Sequence, residues 1–96
     1  MSFNNTLKSA TSQQFQSGKL GLIELVRVNG IIRRAERGVD RCEDKLADAR
    51  DAVCTAAVAR GLMPAEGPGA DFDWDKLLEL IMELIPLILE LFKFFA

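Results

Sequence analysis

The chain has 96 residues, which is enough for one small domain and too few for a catalytic barrel or two independent cores. Hydrophobic residues make up 49% of it and charged residues 27%, so the composition is globular and excludes a disordered or collagen-like chain. The net charge of −2 disfavours nucleic-acid binding, and the sequence contains no His and no Tyr, which removes common acid–base and metal-binding side chains. We therefore expect a non-enzymatic protein without catalytic, cofactor-binding or metal-binding residues.

Residues 1–19 are predicted to form a flexible polar arm. Ser, Thr, Asn and Gln fill most of these positions, and Lys8 and Lys19 carry the charges. Such a composition buries little apolar surface and is typical of a mobile terminus. The segment lacks the basic and apolar regions of a cleaved secretory signal, so the expected location is cytoplasmic.

Residues 20–60 are predicted to form a long amphipathic helix. Apolar residues recur there at alternating spacings of three and four, which is the pattern of a helix with one buried seam. The seam comprises Leu25, Val28, Ile32, Ala35, Val39, Cys42, Leu46, Ala49, Val53 and Ala56. We expect Val39, Cys42, Leu46 and Val53 to form its contact with a partner helix.

The weak point of this helix is Asn29–Gly30. Asn-Gly between two apolar runs is also a strong signal for a two-residue β-hairpin turn. The seam passes from Val28 to Ile32 without a change of phase, which favours the helix, with a break at residues 29–30 left open. Gly30 and Gly38 are the expected bending positions, because glycine is unfavourable inside a helix.

The same segment carries an arginine cluster and two cysteines. Arg33, Arg34, Arg37 and Arg41 are suited to phosphate groups. However, an acidic residue follows three positions after Arg33, Arg37 and Arg41, which predicts a solvated helix face instead of a nucleic-acid site. Cys42 and Cys54 lie twelve positions apart in sequence, which on one helix is about 18 Å, too far for a disulfide. Both are predicted to be small core residues.

Residues 61–70 contain several Gly and Pro residues and are predicted to form a turn. Asp71, Asp73 and Asp75 follow it. Their spacing resembles the start of a calcium loop, but the later positions of such a loop are Lys76 and Met82 here, so helix capping explains these acids better.

Residues 71–96 are predicted to form an apolar helix that returns against the middle helix as an αα-hairpin. Glu79, Glu83 and Glu90 fall on one polar stripe, and the rest of the circumference is apolar. Pro86 lies on that stripe, and because the stripe keeps its phase across it, one kinked helix is expected.

This last helix is more apolar than we expect one small molecule to cover. Its contact with another molecule is predicted to use Trp74, Leu77, Leu78, Ile81, Leu84 and Ile85. The same face continues to position 88, where a leucine would extend the contact, but the sequence has Ile88 there and the position is left out of the set.

The favoured hypothesis is a structural or scaffolding subunit that assembles with copies of itself through its helices. One alternative is a membrane-associated protein anchored by residues 74–95, in one form an oligomeric pore lined by the Glu stripe. The other is an adaptor whose last helix docks in the groove of a protein partner.

Overall fold

The computed structural model describes residues 2–93, which form an all-α fold without β-strands in that range. The helices are α1 (Phe3–Gln16), α2 (Leu22–Glu36), α3 (Asp40–Ala59) and α4 (Leu78–Phe92). A short 3₁₀ turn, Trp74–Leu77, leads into α4. The predicted all-α class is confirmed.

The four helices pack in a ring around one core. Each of α1, α2 and α3 contacts the next helix in the chain, and α4 closes the ring by packing on α1, while α2 and α4 meet only marginally. The two helices α2 and α4 therefore lie diagonally across the bundle. The expected two-helix hairpin is not confirmed, because the middle segment forms two helices and α4 packs on α1 as well as on α3.

The segment predicted to be a flexible arm is helix α1, so that prediction is wrong for residues 3–16. The Ser2 hydroxyl accepts a hydrogen bond from the Asn5 amide at 3.1 Å and caps the helix. Phe3, Leu7 and Ala10 are buried on one face together with two threonines. The hydroxyl of Thr11 donates to the Leu7 carbonyl at 2.7 Å, which lets a polar side chain be buried there. The apolar face of α1 was not predicted because most residues of the segment are polar.

The predicted long middle helix is interrupted, and it forms the two helices α2 and α3. The chain turns at Gly38, whose φ of 88° is unfavourable for residues with a side chain. The Gly38 amide donates to the Ala35 carbonyl and the Val39 amide to the Arg34 carbonyl, both at 3.0 Å, which ends α2. The break therefore falls at one of the two expected glycines, and α2 continues through Asn29–Gly30 without forming a hairpin.

Helix α4 runs through Pro86 without interruption, as the continuous polar stripe predicts. Before it, the Asp73 carboxylate accepts a hydrogen bond from the Asp75 amide at 3.1 Å and caps the 3₁₀ turn. This is the capping role expected for one of the three aspartates. Residues 60–73 connect α3 to this turn and place Met63 in the core.

Candidate interaction surfaces

The residues predicted to contact another molecule are largely covered by their own chain. Trp74, Leu77, Ile81 and Ile85 are buried, and Leu78 and Leu84 are half-buried. The expectation that one molecule cannot cover this segment is wrong for the four buried residues, because α1 supplies a second apolar face beside that of α3. The buried face of α4 is therefore the centre of the monomer's core.

The same buried face includes position 88. The residue there is Ile88 and not a leucine, and its side chain is completely buried. Its burial agrees with leaving this position out of the predicted contact set. Ile88 lies three positions after Ile85 and seven after Ile81, so it continues their line along the helix into the core.

The predicted polar stripe lies at the surface, since Glu79, Glu83 and Glu90 are all exposed. Arg60, which ends α3, donates two hydrogen bonds to the Glu83 carboxylate, at 2.7 and 2.9 Å. These bonds and the opposite charge lower the pKa of the Glu83 carboxyl, and they raise the pKa of the Arg60 guanidinium. Glu90 pairs with Lys93 at 3.2 Å. The stripe thus links α4 to α3 and otherwise faces solvent.

Of the four seam residues predicted to contact a partner helix, three lie in the core. Cys42, Leu46 and Val53 are buried, whereas Val39 is 41% exposed because it precedes the first turn of α3. Cys42 and Cys54 are both free thiols. Burial raises the pKa of the half-buried Cys54 thiol, and the nearby Arg50 guanidinium opposes that effect.

The most exposed aliphatic side chains of the described residues lie together on α2. Leu22 is 61% exposed, Ile23 73% and Val26 58%. They occupy adjacent turns of the helix face opposite the buried Val28 and Ile32, and we call these three residues the α2 patch. None of the three was among the contact residues predicted from the sequence. The seam pattern could have predicted their exposure, because burial of Val28 and Ile32 places the α2 patch on the solvent side of the helix.

Charge is distributed unevenly around this surface. Residues 19–37, which contain α2, carry five basic and two acidic side chains. Lys19, Arg27 and Arg33 lie within seven positions of the α2 patch along the chain, and none of them takes part in an ion pair within residues 2–93. Residues 71–93, which contain α4, carry six acidic and two basic side chains. The two diagonal helices thus have outer faces of opposite charge.

A smaller apolar strip follows one flank of α4. Leu84, Leu87 and Leu91 recur at spacings of three and four, which aligns them along the helix. Leu87 is 45% exposed and the other two are half-buried. Glu83 and Glu90 lie directly beside this strip, which we call the α4 strip. The α4 strip is thus a row of three leucines with acidic side chains along one side.

A groove of about 740 Å³ opens beside the start of α1 and the middle of α3. Its lining includes the buried side chains of Phe3, Leu46 and Trp74 and the exposed charges of Glu36, Glu43, Arg50 and Asp51. The Arg50 guanidinium lies 5.0 Å from the centre of the Trp74 ring, and Phe3 meets the same ring edge-on at 5.3 Å. These contacts join α1, α3 and the 3₁₀ turn.

Within residues 2–93 no three Cys, Asp or Glu side chains converge as a metal site. No helix in that range has both the length and the apolar character needed to cross a bilayer. Comparison with protein-family models, with curated proteins and with solved structures finds no match to this chain. Inference about function therefore depends on the surfaces described above.

Proposed function

We propose that this chain is a non-enzymatic structural subunit that binds a second copy of itself through the α2 patch. The observation that carries the proposal is the exposure of Leu22, Ile23 and Val26 by more than half, side by side on one helix. Isolated exposed aliphatic residues are ordinary, but adjacent ones on one surface mark an interaction site.

The charges of the chain favour a second copy as the occupant of the α2 patch. Basic side chains lie near the α2 patch along the chain, and the outer face of α4 is acidic, so two copies present complementary surfaces to one another. A net charge of −2 leaves weak repulsion between whole molecules. Two copies of the chain can therefore associate without a third molecule to neutralise their charge.

The chemistry of the chain supports a structural role over a catalytic one. The sequence supplies no His. In the groove beside α1, the one basic side chain of the lining, Arg50, is held against Trp74. The buried hydroxyls of Thr6 and Thr11 donate hydrogen bonds to oxygen atoms of their own chain. These buried polar groups thus stabilise the fold through hydrogen bonds within the chain.

Sedimentation velocity or light scattering on the full chain without detergent tests this proposal. Over micromolar concentrations the wild-type protein is expected to show a mass above that of one chain, rising with concentration. Ile23→Gln keeps a good helix former at the site but removes the apolar contact, so association should weaken about tenfold or more.

The matched control is Leu62→Gln, at a 48% exposed leucine outside the helices. It should associate like the wild type, and circular dichroism should show equal helix content in all three proteins. A wild-type protein that stays monomeric across the concentration range contradicts the proposal. Equal weakening by both substitutions also contradicts it, because it would indicate unspecific apolar adhesion.

A further inference from the structure

We infer that the α2 patch of one copy binds the α4 strip of the next, so that the subunits join head to tail. This inference rests on the proposed self-association and adds the identity of the second surface. The α4 strip offers Leu84, Leu87 and Leu91 in line, with Leu87 45% exposed at its centre. An apolar line of this spacing is what one helix presents to another in helix–helix packing.

The shape of α2 provides a place for Leu87. Gly30 lies one turn beyond Val26 on the outer face of α2, and a Cβ atom built there would meet nothing within 4 Å. The surface is therefore open at that point, between the aliphatic side chains and Arg33. A leucine from another helix fits beside Val26 and over Gly30, because the missing side chain lets the helix backbones approach closely.

The charges beside the two surfaces are opposite. Lys19, Arg27 and Arg33 lie near the α2 patch along the chain, whereas Glu83 and Glu90 follow the α4 strip. Arg60 and Lys93 already contact these two carboxylates, at 2.7 and 3.2 Å, but all four side chains are 46–68% exposed. Each carboxylate retains lone pairs for a second donor, and exposed ion pairs exchange partners at little cost.

The position of the helices sets the direction of assembly. Because α2 and α4 are diagonal in the bundle, their outer faces point to different sides of the molecule. One molecule therefore presents its α2 patch on one side and its α4 strip on another. Repetition of such a heterologous contact forms a ring where the rotation closes and a filament where it does not.

The test mixes two variants that each lack one surface. Ile23→Gln removes the α2 patch and keeps the α4 strip, and Leu87→Gln does the reverse. Each variant alone should be monomeric at concentrations where the wild type assembles, because its copies lack one half of the contact and associate about tenfold or more weakly. An equimolar mixture, with one variant labelled with ¹⁵N, should give a one-to-one dimer and nothing larger in native mass spectrometry.

The outcomes separate this inference from the proposed function. A monomeric wild-type protein contradicts the proposed function itself. A wild-type assembly that Leu87→Gln leaves unchanged contradicts the α4 strip as the second surface while self-association stands. Two monomeric variants that stay monomeric when mixed also contradict the inference, because the intact α4 strip of one variant and the intact α2 patch of the other should bind each other.

Discussion

The side chain of Gln14 in α1 donates a hydrogen bond to the main-chain carbonyl of Met82 in α4, with an N–O distance of 3.5 Å. In a regular helix this carbonyl accepts a hydrogen bond from the amide four positions later. Here that position is Pro86, which has no amide hydrogen. A neighbouring helix thus supplies the donor that the proline lacks. This explains how α4 runs through Pro86 with its acceptor satisfied.

Gln14→Ala should lower the free energy of unfolding by about 0.5–1.5 kcal/mol, because it leaves a partly buried carbonyl without a donor. The measurement is urea denaturation followed by circular dichroism. The control is the same substitution in a Pro86→Ala background, where the alanine restores the amide donor. There the cost of Gln14→Ala should largely disappear, and equal costs in both backgrounds would contradict the proposed compensation.

Gly30→Ala should raise the free energy of unfolding by about 0.5–1 kcal/mol, because Gly30 is in the interior of α2 and a Cβ atom there has free space. Gly38→Ala is the matched comparison, since its φ of 88° strains any side chain. It should lower the stability by about 1 kcal/mol or more. Thermal unfolding of dilute, monomeric samples measures both, and two shifts of the same sign would contradict this account.

The all-α class and the break near a glycine could be predicted because they follow from local patterns. The seam phase predicted that the middle segment is helical, and Gly38 was one of the two positions expected to bend. The role of α1 could not be predicted in the same way. Its buried face includes Thr6 and Thr11, whose hydroxyls bond to carbonyls one turn earlier, and the Thr6 hydroxyl also contacts the Asp75 carboxylate, which only the folded chain places within reach.

The sequence predicted exposed apolar surface on α4, whereas the most exposed aliphatic side chains of residues 2–93 lie on α2. The amount of apolar surface in α4 suggested contact with another molecule, yet that reasoning assumed a single covering helix. Once α1 covers α4 as well, the remaining exposed aliphatic residues are chiefly those of the α2 patch. Which apolar face stays uncovered depends on the tertiary arrangement of all the helices, and one helix pattern does not determine it.

The ion pair between Arg60 and Glu83 should make stability depend on pH in the acid range. The pKa of Glu83 is lowered in the folded state, so its contribution is fully present above the pKa of an unfolded glutamate, about 4.3. That contribution is lost as the pH falls through the lowered folded value. The difference in melting temperature between wild type and Glu83→Gln should therefore be largest near neutral pH and vanish in acid.

Glu79→Gln is the control for this titration. Glu79 is exposed on the same stripe and takes part in no ion pair within residues 2–93. Its substitution removes the same charge without removing a salt bridge. A pH-dependent difference of equal size for both variants would show that general charge on α4, and not the contact with Arg60, is responsible.

The docking of α1 can be tested at Leu7, which is completely buried against the rest of the bundle. Leu7→Ala should lower the free energy of unfolding by about 2–5 kcal/mol, because it removes apolar contacts and leaves a cavity. Leu62→Ala, at a 48% exposed position, should change it by about 0.5 kcal/mol or less. Urea denaturation measures both. If residues 3–16 were a flexible arm, Leu7→Ala would change the stability as little as Leu62→Ala does. If it does, α1 does not cover α4 in solution, and the apolar surface available for self-association lies on α4 instead of the α2 patch.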